Sequence, residues 1–271
     1  MTTNLIVNGA LGKMGREIVA YALSDNDVRL CGCVEYAGHP LQGKDIGPCI
    51  GKETSGISVQ ADLSGLPVET CVIIDFSTPQ STARILETAV RQGTRLVVGT
   101  TGIDEGGVRE IRHYAEAHPV VFSPNMSLGV NLLFYLTKVL SSKLNNDFDI
   151  EIIEAHHRFK KDSPSGTARK LGEIAASSLG LSYNEAIKNG RSGIVGERTK
   201  KEIGMHAVRG GDIVGDHTVL FAALGERIEL THRAHSRATL ARGAIQAAKW
   251  LSTRQPGLYT MQDVLGLDDH D

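Results

Sequence analysis

The densest run of reactive side chains in the chain is Glu154-Ala-His156-His157-Arg158-Phe-Lys160-Lys161-Asp162-Ser-Pro164-Ser165-Gly166-Thr167-Ala168. Between His156 and Lys161, five of six positions are cationic or can become so, which favours an anionic ligand. His156 and Lys160 are four residues apart, so a loop can bring both into one pocket. A histidine offers a proton near neutral pH, and a lysine offers a fixed charge or a second proton. Ser165, Gly166 and Thr167 follow Pro164 at an expected helix start. Free backbone N–H groups and the helix dipole there make a carboxylate site, and Gly166 lets the ligand come close. The plain alternative is a solvated basic loop with an ordinary helix cap.

A second candidate site lies near the N-terminus. Gly9, Ala10, Leu11, Gly12, Lys13, Met14 and Gly15 fall between an apolar strand and a helical pattern, where a phosphate-binding loop belongs. Gly9 permits the turn, Gly12 lets backbone N–H groups approach a pyrophosphate, and Gly15 lets the helix pack on the strand. Glu35 ends the second strand about twenty residues later, where a carboxylate accepts bonds from ribose hydroxyls. Two further loops follow strands: Gly99-Thr100-Thr101-Gly102 and Ser123-Pro124-Asn125-Met126. Ligands on open α/β sheets bind at the carboxyl ends of strands, so these loops are expected to wall a nicotinamide site.

The elements that must hold these residues change character along the chain. Strands are expected at 4–8, 28–35, 72–76, 95–98 and 119–122, with helices at 14–23, 80–91 and 108–117. That alternation implies βαβ units and a doubly wound parallel sheet of the Rossmann type. Further on, a long helix at 130–144, a strand at 148–155 and a helix at 168–179 precede strand-like segments at 205–208, 217–223 and 227–231, which are broken by glycine turns. They predict a second, α+β domain on an open mixed sheet with antiparallel hairpins. Residues 184–201 read as an exposed loop, and 238–251 as an alanine-rich helix that periodicity assigns to neither domain.

Composition bounds the function classes. At 271 residues the chain suits two units. Twenty-nine basic and 31 acidic residues give a net charge of −2, without the basic excess that nucleic-acid binding requires. No apolar run reaches the ~20 residues of a membrane span. No basic, apolar leader opens the sequence, so a cytoplasmic location is expected. Cys31, Cys33, Cys49 and Cys71 show no metal-ligand spacing and read as small hydrophobes in a reducing compartment, and no metal is expected. The 30 glycines exceed the usual ~7% and point to turns and close backbone approaches.

The Glu154 to Ala168 string resembles the signature of the 4-hydroxy-tetrahydrodipicolinate reductase (dihydrodipicolinate reductase) family. The Gly9–Gly15 loop, Gly99-Thr100-Thr101-Gly102, the Asn125 region, the Arg209–His217 hairpin and Gly225–His232 resemble that family in order and spacing, so the likeness covers essentially the whole chain. The resemblance implies reduction of 4-hydroxy-tetrahydrodipicolinate to tetrahydrodipicolinate by NADH or NADPH, in the diaminopimelate route to lysine. It implies that His156 is the catalytic proton donor or acceptor and Lys160 the second proton donor, near the ring nitrogen. His157 would contact the substrate, a small cyclic dicarboxylate, while Gly166 and Thr167 hold one carboxylate. Cofactor contacts would fall on Gly9 to Met14, Glu35, Gly99 to Thr101 and Ser123 to Met126. It further implies a homotetramer, and a dinucleotide-binding domain of residues 1–127 plus 237–271 around a substrate-binding and oligomerisation domain of residues 128–236.

Two positions depart from the family pattern. Tyr36 stands where many members carry an arginine that meets the 2′-phosphate of NADPH, and Met126 stands where many have an aromatic residue. Lys13 can still reach a 2′-phosphate, so both cofactors are expected to work, with a lean towards NADH. The competing readings are a related amino-acid or semialdehyde dehydrogenase, and a nucleotide-sensing module without chemistry. His217 reads as structural, and His232 with His235 as a cluster at a strand end rather than a metal or substrate site.

Overall fold

The computed structural model describes residues 2–267, apart from the side chains of residues 90 and 91. In chain order the elements are β1 (Thr3–Asn8), α1 (Lys13–Ala22), β2 (Val28–Val34), α2 (Ile46–Cys49), β3 (Val59–Gln60), β4 (Val72–Asp75), α3 (Pro79–Gln92), β5 (Arg95–Val98), α4 (Glu105–Ala115), β6 (Pro119–Phe122), α5 (Leu128–Leu144) and β7 (Asp149–His156). They continue with α6 (Gly166–Ser178), α7 (Tyr183–Ala186), β8 (Ile187–Asn189), β9 (Ile203–Arg209), β10 (Gly215–Ala223), β11 (Glu226–Ala234), α8 (Ala238–Leu251), β12 (Gly257–Tyr259) and α9 (Met261–Leu265). The chain divides into two compact units: unit 1 runs to Leu128 and resumes at Arg237, and unit 2 is Gly129–Ser236. The last four residues of the segment 237–271 lie outside the described residues.

Unit 1 is a seven-stranded parallel sheet in the order β12-β6-β5-β4-β1-β2-β3, the Rossmann-type arrangement expected from the β/α alternation. Its strands are continuous apolar runs because both faces are covered. In β1, Leu5 and Val7 point into one core with Ile18 and Val19 of α1, while Ile6 points into the other with Ile85 and Leu86 of α3 and Ile111 of α4. The tail helix α8 contributes Ala241, Ala244, Ile245, Ala248 and Leu251 to the first core, so it belongs to this unit. Small side chains let it approach closely: a Cβ at Gly243 would stand 1.7 Å from the Met126 carbonyl oxygen. Lys249 ties α8 to Asp25 at 2.8 Å and Asp27 at 3.2 Å. Burial leaves Cys33 and Cys71 as inert thiols, each pushed up to about 12.

Unit 2 is built on a five-stranded sheet in the order β11-β10-β7-β9-β8. β10 runs antiparallel to β7 and β11, whereas β9 is parallel to β7 and β8, so the sheet is mixed. The two-residue period of β7 places Ile150 and Ile152 in a core with Leu133 and Phe134 of α5 and Leu171 and Ala175 of α6. Continuing that period puts Glu154 and His156 on the covered face, at the strand's end. The expected exposed loop at 184–201 is partly structured. Most of α7 and all of β8 lie in it, and only the residues after Asn189 run irregularly to β9.

Candidate active site

Strand register assembles the reactive cluster of unit 2. Across the sheet, Glu154 of β7 pairs with His217 of β10, which pairs with His232 of β11. Glu154 is fully buried, and its carboxylate is completely engaged. One oxygen accepts from His156 Nδ1 at 2.6 Å and an Arg209 nitrogen at 2.8 Å. The other accepts from the second Arg209 nitrogen at 2.8 Å and the Ser165 backbone N–H at 3.0 Å. Burial alone would raise the Glu154 carboxyl, but Arg209, His156 and the Ser165 N–H outweigh it and hold it below the usual carboxylate range. Arg209 is lifted further above its ordinary value by the same carboxylate.

This arrangement fixes His156. Its Nδ1 is committed to Glu154, so the ring presents Nε2, which makes no hydrogen bond among the described residues. Gly215 keeps the space beside that nitrogen open, because a Cβ there would stand 3.0 Å from Nε2. The loop after β7 is pinned by backbone bonds from Gly210 N–H to the His156 carbonyl (2.9 Å) and from Arg158 N–H to the Gly211 carbonyl (3.1 Å). A turn from His157 brings Lys160 back, its backbone N–H on the His157 carbonyl at 3.1 Å. Lys160 Nζ is held by Asp162 at 2.9 Å, and Arg209 also donates to the Asp162 carbonyl at 2.7 Å. His157 keeps a buried Nδ1 without a hydrogen-bond partner among the described residues.

The loop closes on α6. Ser165 is its N-cap, accepting the Ala168 N–H at 3.2 Å. Gly166, next to it, is exposed, and a Cβ there would meet open space, so its backbone is free to meet a ligand. Thr167 follows in the first turn. His156, His157, Lys160, Gly166 and Thr167 therefore all come from one strand end, one loop and one helix start.

The structure brings in His217, which sequence reasoning read as structural. Its Nε2 lies 3.1 Å from the Ser165 hydroxyl and its ring packs edge-on to His156, with centroids 5.1 Å apart. Burial, and then the neighbouring His156 charge, push His217 down to about 3, so it stays neutral. Arg209 was also missed. It was legible only as part of a hairpin, since its grip on Glu154 spans 55 residues. His232 is a strand residue lowered by burial, and among the described residues no cluster of His, Cys, Asp or Glu has metal-binding geometry.

In unit 1 the expected cofactor residues gather at the carboxyl ends of the parallel strands. α1 begins after Gly12 with no side-chain cap, whereas Thr78, Asp104 and Ser165 cap α3, α4 and α6. Its first N–H groups are therefore left for a ligand acceptor such as a pyrophosphate. Gly9 has φ of +74°, and a Cβ on Gly15 would stand 2.0 Å from the Gly9 carbonyl oxygen. Glu35 braces this turn from the end of β2, one oxygen on the Leu11 N–H (3.0 Å) and the other on the Tyr36 N–H (3.1 Å). Lys13 is exposed, and Met14 partly buried. The side chains of Ala10, Leu11 and Met126 are buried in the core, and the N–H groups of Ala10 and Leu11 are bonded within the protein, to the Val34 carbonyl at 3.1 Å and to Glu35, so donors for a ligand come from the start of α1. Gly99, Thr100 and Thr101 follow β5, and Ser123, Pro124 and Asn125 follow β6, where the Ser123 hydroxyl donates to the Asn125 carbonyl at 2.8 Å. The uncapped turn, its bracing carboxylate and the close glycine packing fit a dinucleotide.

Comparison with known proteins adds independent findings. The family model "Dihydrodipicolinate reductase, N-terminus" matches residues 3–126, and "Dihydrodipicolinate reductase, C-terminus" matches residues 129–265. The 4-hydroxy-tetrahydrodipicolinate reductase of Syntrophus aciditrophicus (strain SB) is 48% identical over 261 residues, covering 96% of this chain and 97% of the relative. The protein of the same name from Hahella chejuensis (strain KCTC 2396) is 46% identical, covering 98% and 99%. Among solved structures, dipicolinate-bound dihydrodipicolinate reductase from Paenisporosarcina sp. TG-14 shares the fold, with a TM-score of 0.75 at 23% identity over 97% of this chain and 99% of that one.

Proposed function

The chain belongs to the dihydrodipicolinate reductase family, and from that premise we propose that it reduces 4-hydroxy-tetrahydrodipicolinate to tetrahydrodipicolinate with NADH or NADPH, using His156 and Lys160 for the proton chemistry. The reaction belongs to the diaminopimelate route to lysine. The bound nicotinamide supplies a hydride. In unit 1, the uncapped start of α1 and the turn from Gly9 to Met14 take the pyrophosphate, and Glu35 takes the adenosine ribose. The loops Gly99 to Thr101 and Ser123 to Met126 take the nicotinamide end.

The observation that carries the assignment of roles is the buried Glu154–His156 pair. With Nδ1 held by Glu154, His156 can exchange a proton only at Nε2, so the ring is aimed before substrate arrives. Arg209 holds the opposite edge of the same carboxylate and keeps it from reorienting. Lys160 brings a second proton, or a fixed positive charge, to the substrate's ring nitrogen. Asp162 supports its ammonium group in the loop. The exposed start of α6 at Gly166 and Thr167 receives a substrate carboxylate through backbone N–H groups, and His157 contacts the same dianion.

The family assignment supports a homotetramer, and unit 2 offers a surface for it. The sheet face opposite its core exposes Ile153 and Val208 among polar neighbours. Residues 1–127 with 237–271 form the proposed dinucleotide domain, and residues 128–236 the proposed substrate and assembly domain. Among the described residues no helix is long and apolar enough to cross a membrane, and the four cysteines are free thiols, which supports a reducing, cytoplasmic setting.

The test supplies the product of dihydrodipicolinate synthase together with NADH and follows the loss of nicotinamide absorbance. Consumption at enzymatic rates is expected. Tight NADH binding without consumption would instead identify a nucleotide-sensing module, and turnover confined to an amino acid or semialdehyde would identify a different dehydrogenase.

A further inference from the structure

β4 ends on Asp75, a carboxylate only 1% exposed that the proton and substrate chemistry does not use. Oδ1 accepts from Asn8 Nδ2 at 2.7 Å and the Ser77 hydroxyl at 2.5 Å. Oδ2 accepts from the Thr82 hydroxyl at 2.5 Å and the Thr100 hydroxyl at 3.1 Å. Asn8 closes β1, Ser77 lies in the turn before α3, Thr82 is in the first turns of α3, and Thr100 follows β5. One side chain thus ties three adjacent strand ends and a helix start. All four donors are neutral, and among the described residues no Lys, Arg or His pairs with this carboxylate. A buried carboxylate so placed is costly to keep unless its position is needed.

The hydrogen bonds have a direction. Thr100 Oγ1 accepts the Ser77 backbone N–H at 3.0 Å, and its own proton then goes to Asp75. Ser77 Oγ accepts from Asn8 Nδ2 at 3.1 Å and gives its proton to Asp75. The carboxylate therefore fixes the backbone on both sides of Phe76. Phe76 in turn is wedged between two loops: a Cβ on Gly9 would stand 2.6 Å from its carbonyl oxygen, and one on Gly99 would stand 2.2 Å from its ring. Glu35, at the end of β2 on the other side of β1, takes no part in this network. A dinucleotide whose ribose is held by Glu35 lays its nicotinamide over the β4 and β5 ends.

We propose that Asp75 is a positioning residue for the nicotinamide end of the cofactor: it sets the Ser77 and Gly99 to Thr101 loops, and although its bond to Asn8 reaches the strand end before Gly9, among the described residues it makes no bond to Glu35 or to the start of α1, which hold the adenosine half. The proposal rests on the dinucleotide reading of unit 1. It separates the two halves of one ligand, which a general packing role would not do.

The test uses the full chain and compares NADH with ADP-ribose, which lacks the nicotinamide, by calorimetric titration. Two variants are used, Asp75→Asn and Thr82→Val. In Asp75→Asn the hydroxyls can turn to carbonyls already in reach, Thr82 to that of Thr78 at 3.2 Å and Thr100 to that of Asp75 itself at 3.5 Å, so the fold has a way to relax. Thr82 lies outside the proposed cofactor contacts and reaches the ligand only through Asp75. The expected result is an NADH Kd raised about tenfold in Asp75→Asn, and raised less in Thr82→Val, with the ADP-ribose Kd within about twofold of wild type in both. Equal weakening of both ligands, or no change in either, would overturn the proposal. Wild-type protein that binds neither ligand would overturn the dinucleotide reading, and the proposal with it.

Discussion

Replacing His217 with Gln tests the electrostatic account of unit 2 through stability alone. His217 is 4% exposed, faces His156, and is pushed by burial from an ordinary 6.5 down to about 3. Between those two values the unfolded chain binds a proton that the folded chain refuses. Stability therefore rises with pH across that window and is lost as the pH falls below 6.5. At pH 5.0 the unfolded histidine sits 1.5 units below its ordinary 6.5, and at about 1.4 kcal/mol per unit the folded state loses about 2 kcal/mol relative to pH 7.5. Glu154, depressed from 4.5, keeps its contribution above that value and releases it only at lower pH. His232 is also lowered by burial, but it is present in both proteins and cancels in the difference. Urea unfolding of wild type and His217→Gln at pH 7.5 and pH 5.0 reads the effect directly. The wild type should lose about 2 kcal/mol more than the variant on acidification, with the expectation scaled from the same pKa gap. Equal losses would refute the claim that His217 is held neutral in a buried cluster.

The other predictions concern the two sites separately. Glu154→Gln leaves the Arg209 guanidinium without its counter-charge; because that group is 21% exposed, the stability cost should fall below the 3–5 kcal/mol of a fully buried pair, at about 2 kcal/mol. In the same variant kcat should drop at least about tenfold while NADH affinity holds, measured by steady-state kinetics and NADH titration. Gly15→Ala would force a Cβ to within 2.0 Å of the Gly9 carbonyl oxygen, so the turn must shift; at about 1–3 kcal/mol of overpacking, NADH affinity should weaken at least about fivefold in a titration. Tyr36, 59% exposed beside Glu35, offers no positive charge to a 2′-phosphate, so kcat/KM for NADH should equal or exceed that for NADPH, and a strong NADPH preference would overturn this.

Much of the architecture is legible locally because the two periods that matter are local. Apolar runs of four to six residues, flanked by helical spacing, gave away β1, β4, β5 and β6, and Gly9 to Gly15 marked the turn between the first strand and helix. The short elements carried no period to read. β3 has two residues and β12 three, and β12 is a strand only because it pairs with β6. β8, of three residues, and α7, of four, carry no period inside a polar stretch for the same reason. The site divides along the same line. His156, Lys160 and the Ser165-Gly166-Thr167 start lie within a dozen residues, so spacing alone groups them. His217 and Arg209 join through strand register, Glu154 opposite His217 and His156 opposite Arg209, and that information is absent from any window of sequence. Asp75 is hidden likewise, since its partners are spread from Asn8 to Thr100.

The central claim is that His156 and Lys160 carry the proton chemistry while the nucleotide is held elsewhere in the chain. It is tested most directly by measuring kcat with the dihydrodipicolinate synthase product, and the NADH Kd, in His156→Gln and Lys160→Met. The account predicts that each substitution lowers kcat by about 10² or more, the range for a positioned acid or base, with NADH binding near wild type. Unchanged turnover in either variant, or a loss of turnover matched by an equal loss of NADH binding, would contradict it.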